Sequence, residues 1–433
     1  MKPAQSPRLF LILFALLMIS SPAAALQEST TSYDEITEEV ANMRGLEILS
    51  PIEVTPKSRE QLGQELKEDL DADYPVDERI ADERELIAFG LMDPDVDLGQ
   101  LIVDLYTEQV AGYYDPATGE MVVIRNPASA EELTPSEHVT YAHEVVHALQ
   151  DQHFDIDAGA LSREETSDDE SLAITALIEG DASFSEVSYL LDRPELLDHY
   201  LTEITATEFD TATLDSAPPI ISSTLLFPYD NGYTFVQALY GEGGWDTVNS
   251  AFVNPPQSTE QILHPEKYLA GEAPVEIEVP NFTSLLGEDW EVFDNNTFGE
   301  YQIRIILEQS SMPKEQAIEA AAGWGGDTYV VAGTDDQDAI HWISSWDTEE
   351  DAIEFAKALA TYESSRWNIA PTYAADTVIK FEADGVVTQI TLDGDAVTYI
   401  KAPDVETLNT IASGEGTSFA SPEATPAKAT PAP

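Results

Sequence analysis

The chain has 433 residues, 43% of them hydrophobic, enough for two domains that each bury an apolar core. Its 82 acidic residues against 19 lysines and arginines give a formal charge of −63, and such a surface repels nucleic acid and anionic membranes alike. Cysteine is absent, which excludes a disulfide framework and lipid attachment through a thiol. Self-repulsion on this scale is easiest to tolerate where salt screens it, so a saline exterior is the expected setting.

The first element is a leader. Leu9 to Ile19 ("LFLILFALLMI") is a short apolar run with Lys2 and Arg8 ahead of it and "SPAAA" behind, Ala23 and Ala25 holding the small-residue positions of a cleavage site. Residues 1–25 therefore read as a signal peptide, and the protein as secreted or associated with the cell surface. No later stretch is long and apolar enough to cross a bilayer, so the mature chain is expected to lack a transmembrane segment.

Residues 26–95 form an N-terminal helical segment or pro-region, with Leu62, Leu66 and Leu70 on one helix edge. "ELIAFGLM" and "GQLIVDLYTEQVAGYY" give two more helical stretches, the second inside a domain assigned to 96–311. "YYDPATGEMVVIRN" reads as a strand pair whose turn opens at Asp115-Pro116. Met121 to Ile124 is its extended run, expected to be an edge strand along which an extended peptide can pair.

The next helix has a clear start. Thr134 can cap it, Pro135 suits its first position and Glu137 completes a capping box. It carries His143-Glu144-Val145-Val146-His147 and then His153, so the fifteen residues from Tyr141 to Asp155 hold three of the seven histidines in the chain. His143 and His147 stand one turn apart on one face, so both imidazoles can reach one zinc ion. Glu144 is rotated by about 100° and can address water at that ion without ligating it. His153 has the spacing of a third ligand in the metzincin pattern, which needs a glycine at the seventh position to break the helix. Here that position is Gln150, a helix former. A continuing helix points His153 about 240° away from His147, which favours a capping or packing role.

A second capped helix starts at Ser167, with Glu170 three residues on, and runs to about Leu191. Glu179 lies midway along it, with Leu172, Ala176 and Ser183 defining its face. A glutamate among apolar neighbours needs a counter-charge, and zinc supplies one, so Glu179 is the favoured third ligand. Glu186, two turns on, is the nearest rival; either it or Asp181 can instead orient the second nitrogen of a histidine.

Helices near 230–240 and 245–253 follow, then "PPQSTEQILHPEKY" as an ordered loop leading into a short helix. Residues 312–409 read as a small α+β domain. It runs helix, glycine turn and strand, then the strand "AIHWISSW", a helix capped by Thr348, and three strands, the first two joined by Asp384-Gly385. Trp324, Trp342 and Trp346 are expected in its core. Asp335 to Asp338 lack the spaced ligands and central glycine of a calcium loop, so calcium is unsupported as a cofactor. Residues 410–433 are a low-complexity tail, expected to be disordered.

His-Glu-x-x-His followed by a second helix bearing "EGDA" at 179–182 resembles the gluzincins, the thermolysin-like zinc metallopeptidases. The resemblance covers roughly residues 100–270, including "GYYDPATGEMVVI". The whole mature chain, with "PPQSTEQILHPEKY" and "AAGWGGDTYVV", also looks similar to uncharacterised secreted bacterial proteins of that class. The resemblance implies an α+β protein: a mainly helical zincin-like metallopeptidase domain with a short edge sheet, plus the small C-terminal domain. It implies one catalytic zinc ion held by His143, His147 and Glu179, with Glu144 as general base in peptide-bond hydrolysis. A second oxyanion donor is needed, and Tyr229, Tyr233 and His264 are the candidates, Tyr229 and His264 preferred. Two departures stand out: Ser183 occupies the place of thermolysin's outer aspartate, and the spacing from His147 to Glu179 is longer. The Gly-x-Met-Glu-Asn motif of gluzincin aminopeptidases is missing, which favours internal cleavage of a peptide or protein substrate. Two other readings remain, an amidase acting on cell-wall peptides and an inactive zincin-like binding protein. Intact Glu144 argues against the second, because ligation alone does not require it.

Overall fold

The structure, a computed structural model, describes residues 13–16, 33–125, 133–156, 161, 166–207, 211–279 and 282–414. Apart from 13–16, the expected leader lies outside these residues, as does the tail beyond 414. The chain forms two compact units, Met1–Leu269 and Ala270–Pro433, a division that falls well ahead of the composition shift near residue 312. The architecture is mixed α+β, with a mainly helical first unit and a many-stranded sheet in the second. Among the described residues no helix is long and apolar enough to cross a membrane.

In the first unit, β1 (Leu13–Leu16) is followed by α1 (Tyr33–Arg44), β2 (Val54–Lys57), α2 (Arg59–Asp73), α3 (Val76–Phe89) and α4 (Leu98–Gln109). Then come β3 (Val110–Asp115), β4 (Glu120–Ile124), α5 (Pro135–Phe154) and α6 (Asp168–Leu191). The unit closes with α7 (Pro194–Ala206), α8 (Ala212–Ser216), α9 (Pro219–Gly243), α10 (Trp245–Val253), α11 (Thr259–Leu263) and α12 (Pro265–Ala270).

Its sheet has the order β1-β3-β4-β2. This corrects one expectation. Met121–Ile124 is not an edge strand, because β2 pairs in parallel with its outer side, Val54 opposite Met121 and Lys57 opposite Ile124. Pro56, which cannot donate to a ladder, fits β2 to the true edge. On the other side β3 pairs with β4 antiparallel, and β1 takes the outer edge of β3 from Leu13↔Tyr114 to Leu16↔Val110.

The helix α5 starts as its residues dictate. Thr134 Oγ1 accepts from the Glu137 amide and the Glu137 carboxylate accepts from the Thr134 amide, a closed capping box with Pro135 behind it. It then runs unbroken through Gln150 and ends at Asp155, in the left-handed region at φ 53°. Every residue from Val139 to Gln150 is buried, so this helix is an axis enclosed by other elements, with no solvent face along that stretch. Tyr114, Met121 and Val123 of the sheet pack against it, as do Ile36, Val40 and Ala41 of α1 and Ala182 and Tyr189 of α6.

The α6 and α9 helices meet at backbone distance. A Cβ on Gly180 would stand 2.2 Å from the Gly232 carbonyl carbon, and one on Gly232 would stand 2.1 Å from the Ala176 carbonyl oxygen. Neither position can carry a side chain without parting the helices.

The second unit holds α13 (Thr283–Leu286), β5 (Glu291–Asn296), α14 (Gly299–Glu308), α15 (Lys314–Ala321), β6 (Trp324–Gly333) and β7 (Asp338–Trp346). It continues with α16 (Glu349–Trp367), β8 (Tyr373–Ala375), β9 (Val378–Ala383), β10 (Val386–Asp393), β11 (Ala396–Ala402) and α17 (Val405–Ser413). The seven strands pair antiparallel in the order β5-β6-β7-β11-β10-β9-β8. Asp384 and Gly385, both at positive φ, make the tight β9–β10 turn. Trp324, Trp342 and Trp346 are buried, and Trp342 and Trp346 pack on Phe355 of α16. The indoles of Trp324 and Trp342 donate to Asp327, which also receives the amides of Phe298 and Gly299 at the start of α14. Leu408 and Ile411 of α17 share a core with Val330, Ala339 and Ile400 of the sheet.

Candidate metal centre

The unbroken α5 holds His143 and His147 one turn apart, their rings 4.9 Å between centroids. The α6 helix runs beside it and delivers Glu179 to both. Glu179 Oε2 lies 3.2 Å from His143 Nε2 and 3.5 Å from His147 Nε2. All three residues are buried, and one ligand atom from each falls within 4.8 Å of the others. This is a triad capable of coordinating a metal ion. His147 Nε2 has no hydrogen-bond partner among the described residues, which is costly for a buried nitrogen unless a cation takes its lone pair. The donor set of two imidazoles and a carboxylate fits zinc, with one position left for a reactant.

The electrostatics agree with that fit. Burial pulls the His143 pKa down, but hydrogen bonds and charge from Glu179 and Glu186 outweigh it and raise the value to about 10. Burial would raise the Glu179 pKa, yet His147 and His143 hold it below the ordinary carboxylate value. A cation drawn by both carboxylates competes for the His143 nitrogen, so binding is coupled to proton release.

Each histidine is oriented from outside. Glu186 Oε2 accepts from His143 Nδ1 at 3.1 Å. On His147 the same task falls to Gln150, whose Oε1 lies 2.9 Å from Nδ1. Gln150 is in turn tied to Asp181, 2.9 Å from its Nε2. Of the two outer carboxylates singled out in the sequence, Glu186 meets a triad histidine directly and Asp181 reaches one only through the Gln150 amide. The Gln150 link was missed there. Its visible signal is the i, i+3 spacing of His147 and Gln150 on one helix, and only the approach of α6, with Asp181 and the Ile178 carbonyl, sets which end of the amide faces the ring.

His153 is not brought to the triad. Its Nε2 bonds the Glu47 carbonyl at 2.7 Å, in the loop after α1. Tyr229 is brought there. Its hydroxyl is hydrogen-bonded to Glu179, and its ring lies 6.4 Å from that of His143, nearly parallel. Burial first, then the charges of Glu179 and Glu144, push its pKa well above normal, so it stays a phenol and a donor. The glycine contact between α6 and α9 explains the placement, since Gly232 lies three residues past Tyr229 and seats α9 on α6. Tyr233 points elsewhere, packing on Phe184 and accepting from Gln237. His264 caps the end of α11, one-third exposed, its Nδ1 3.9 Å from Glu266.

Glu144 is fully buried on α5 beside His143. Above it passes β3: a Cβ on Gly112 would meet Glu144 Cγ at 3.4 Å and Thr140 Cγ2 at 2.9 Å. The strand lying over Glu144 is therefore β3.

Comparison with known proteins adds one match. A family model described as a domain of unknown function, DUF8575, matches residues 290–412, inside the second unit, whereas the triad belongs to the first. No curated protein matches the chain, and no solved structure does.

Proposed function

We propose that the first unit is a zincin-type zinc metallopeptidase, secreted through its leader and cleaving peptide or protein chains internally. The observation that carries this reading is the buried convergence of His143, His147 and Glu179, with Glu144 next to it on the same helix. A zinc ion held by these ligands supplies the Lewis acidity that polarises a scissile carbonyl and makes water acidic enough to lose a proton. Glu144, as general base, takes that proton and returns it to the leaving amine. Tyr229 turns its hydroxyl from Glu179 to the developing oxyanion, a role its persistent O–H suits. Its bond to Glu179 favours it over His264, which is oriented toward Glu266.

Substrate is held by β3. That strand runs over Glu144 and accepts an antiparallel partner on its outer edge, as its pairing with β1 illustrates. Because β1 comes from the expected leader, signal-peptide removal opens the same edge for an extended peptide. Backbone pairing reads few side chains, so specificity would depend on the walls of the cleft.

The test is cleavage of a peptide library by the mature chain, with and without chelator, beside Glu144→Gln. The reading predicts cleavage that chelator abolishes and zinc restores. Glu144→Gln should lose at least about a hundredfold in turnover while keeping its metal. Cleavage indifferent to chelator, or undiminished in the variant, would refute it.

A further inference from the structure

We infer that Gln150, Asp181 and Arg44 form a positioning chain that fixes the orientation and tautomer of His147, and that α1 is a permanent part of the metal centre. The inference rests on the metal-site reading above and deepens it.

The chemistry of the chain is determined by its donors and acceptors. Gln150 Nε2 faces two oxygens, the Ile178 carbonyl at 3.0 Å and Asp181 Oδ2 at 2.9 Å. An amide nitrogen only donates, so this pair fixes which way the Gln150 amide points. Its oxygen must then face His147, and His147 Nδ1 must be the protonated nitrogen. The lone pair is left on Nε2, the atom that faces Glu179. A neutral amide does here what a carboxylate does for His143.

Asp181 is fully buried and needs a counter-charge. Arg44, at the last turn of α1, supplies it: its Nε donates to Asp181 Oδ1 at 2.7 Å, with both side chains fully buried. The guanidinium is itself held, Nη2 donating to Asn249 at 2.8 Å while its carbon lies 4.2 Å from the centre of the Trp245 ring. Removing one partner of such a pair strands the other charge in the interior. A pro-segment cut beyond Arg44 would do that, whereas a cut before Tyr33 would leave the chain intact.

The test is cobalt(II) titration of the full mature chain, wild type beside Gln150→Leu, read by affinity and by the visible ligand-field bands, with the N-terminus of the active secreted form found by mass spectrometry. The inference predicts that Gln150→Leu binds roughly 10–100-fold more weakly, with shifted bands, while its metal-free form still unfolds cooperatively. The active form should begin ahead of Tyr33. Should Gln150→Leu fail to fold, the paired variant Arg44→Met with Asp181→Leu, which removes both charges together, gives the same readout and should shift the same bands. Wild-type affinity and bands in the variants, or an active form starting past Arg44, would overturn the inference. No cobalt binding by the wild type would instead refute the metal-site reading beneath it.

Discussion

Glu179 shows how far a single residue can be read from sequence. A carboxylate among apolar neighbours on a capped helix calls for a counter-charge, and the structure sets it against two imidazoles. His153 was legible for the opposite reason: Gln150 sustains the helix, and the ring turns away to the Glu47 carbonyl. Tyr229 was one of three candidates because nothing in its local pattern reveals which helix it meets. Tyr229→Phe should keep the metal and leave KM within a few-fold, while kcat falls by about 10²–10³, the usual loss for one oxyanion donor. Steady-state kinetics beside metal analysis checks this; an unchanged kcat would leave the hydroxyl a ligand-holding group only.

Among the elements, helices with their own caps were easiest to foresee. Thr134 with Glu137, and Ser167 with Glu170, mark α5 and α6 within the sequence, and both begin there. Strand neighbours were not, because β2 comes from far up the chain and covers Met121–Ile124 by a pairing no local pattern encodes. The crossing of α6 and α9 was also hidden, since a glycine within a helix reads as a mere weakness until another backbone lies against it. Gly232→Ala places a methyl 2.1 Å from the Ala176 carbonyl oxygen. It should cost roughly 1–3 kcal/mol and lift Tyr229 from Glu179. Gly241→Ala, on the same helix with nothing within 4 Å, is the control and should be nearly neutral or stabilising. Thermal melts separate the two, and equal melting temperatures would contradict the packing account.

For the whole molecule, length foretold a chain large enough for two units, and the order of helical and strand-like runs, with the gluzincin resemblance, foretold the mixed α+β class. The composition shift near residue 312 lies inside the second unit, where β5 and α14 join the sheet through β6. That unit also carries a predictable response to acid. His341, almost fully buried on β7, has its pKa pushed down by burial to about 4. The unfolded chain binds this proton near pH 6.5 while the folded chain refuses it, so stability is complete above 6.5 and is lost as pH falls toward 4. The loss amounts to roughly 3 kcal/mol at most. His341→Leu should flatten that part of the stability–pH curve measured by denaturant melts, whereas an unchanged slope would assign the acid sensitivity to other groups.

The central claim, a metal ion held by His143, His147 and Glu179, is tested most directly by the metal content of the purified mature chain beside Glu179→Ala and His153→Ala. The account predicts one zinc per wild-type chain, retained in His153→Ala and lost in Glu179→Ala. Loss with His153 in place of Glu179, or a wild type that takes up no zinc when incubated with it, would contradict it.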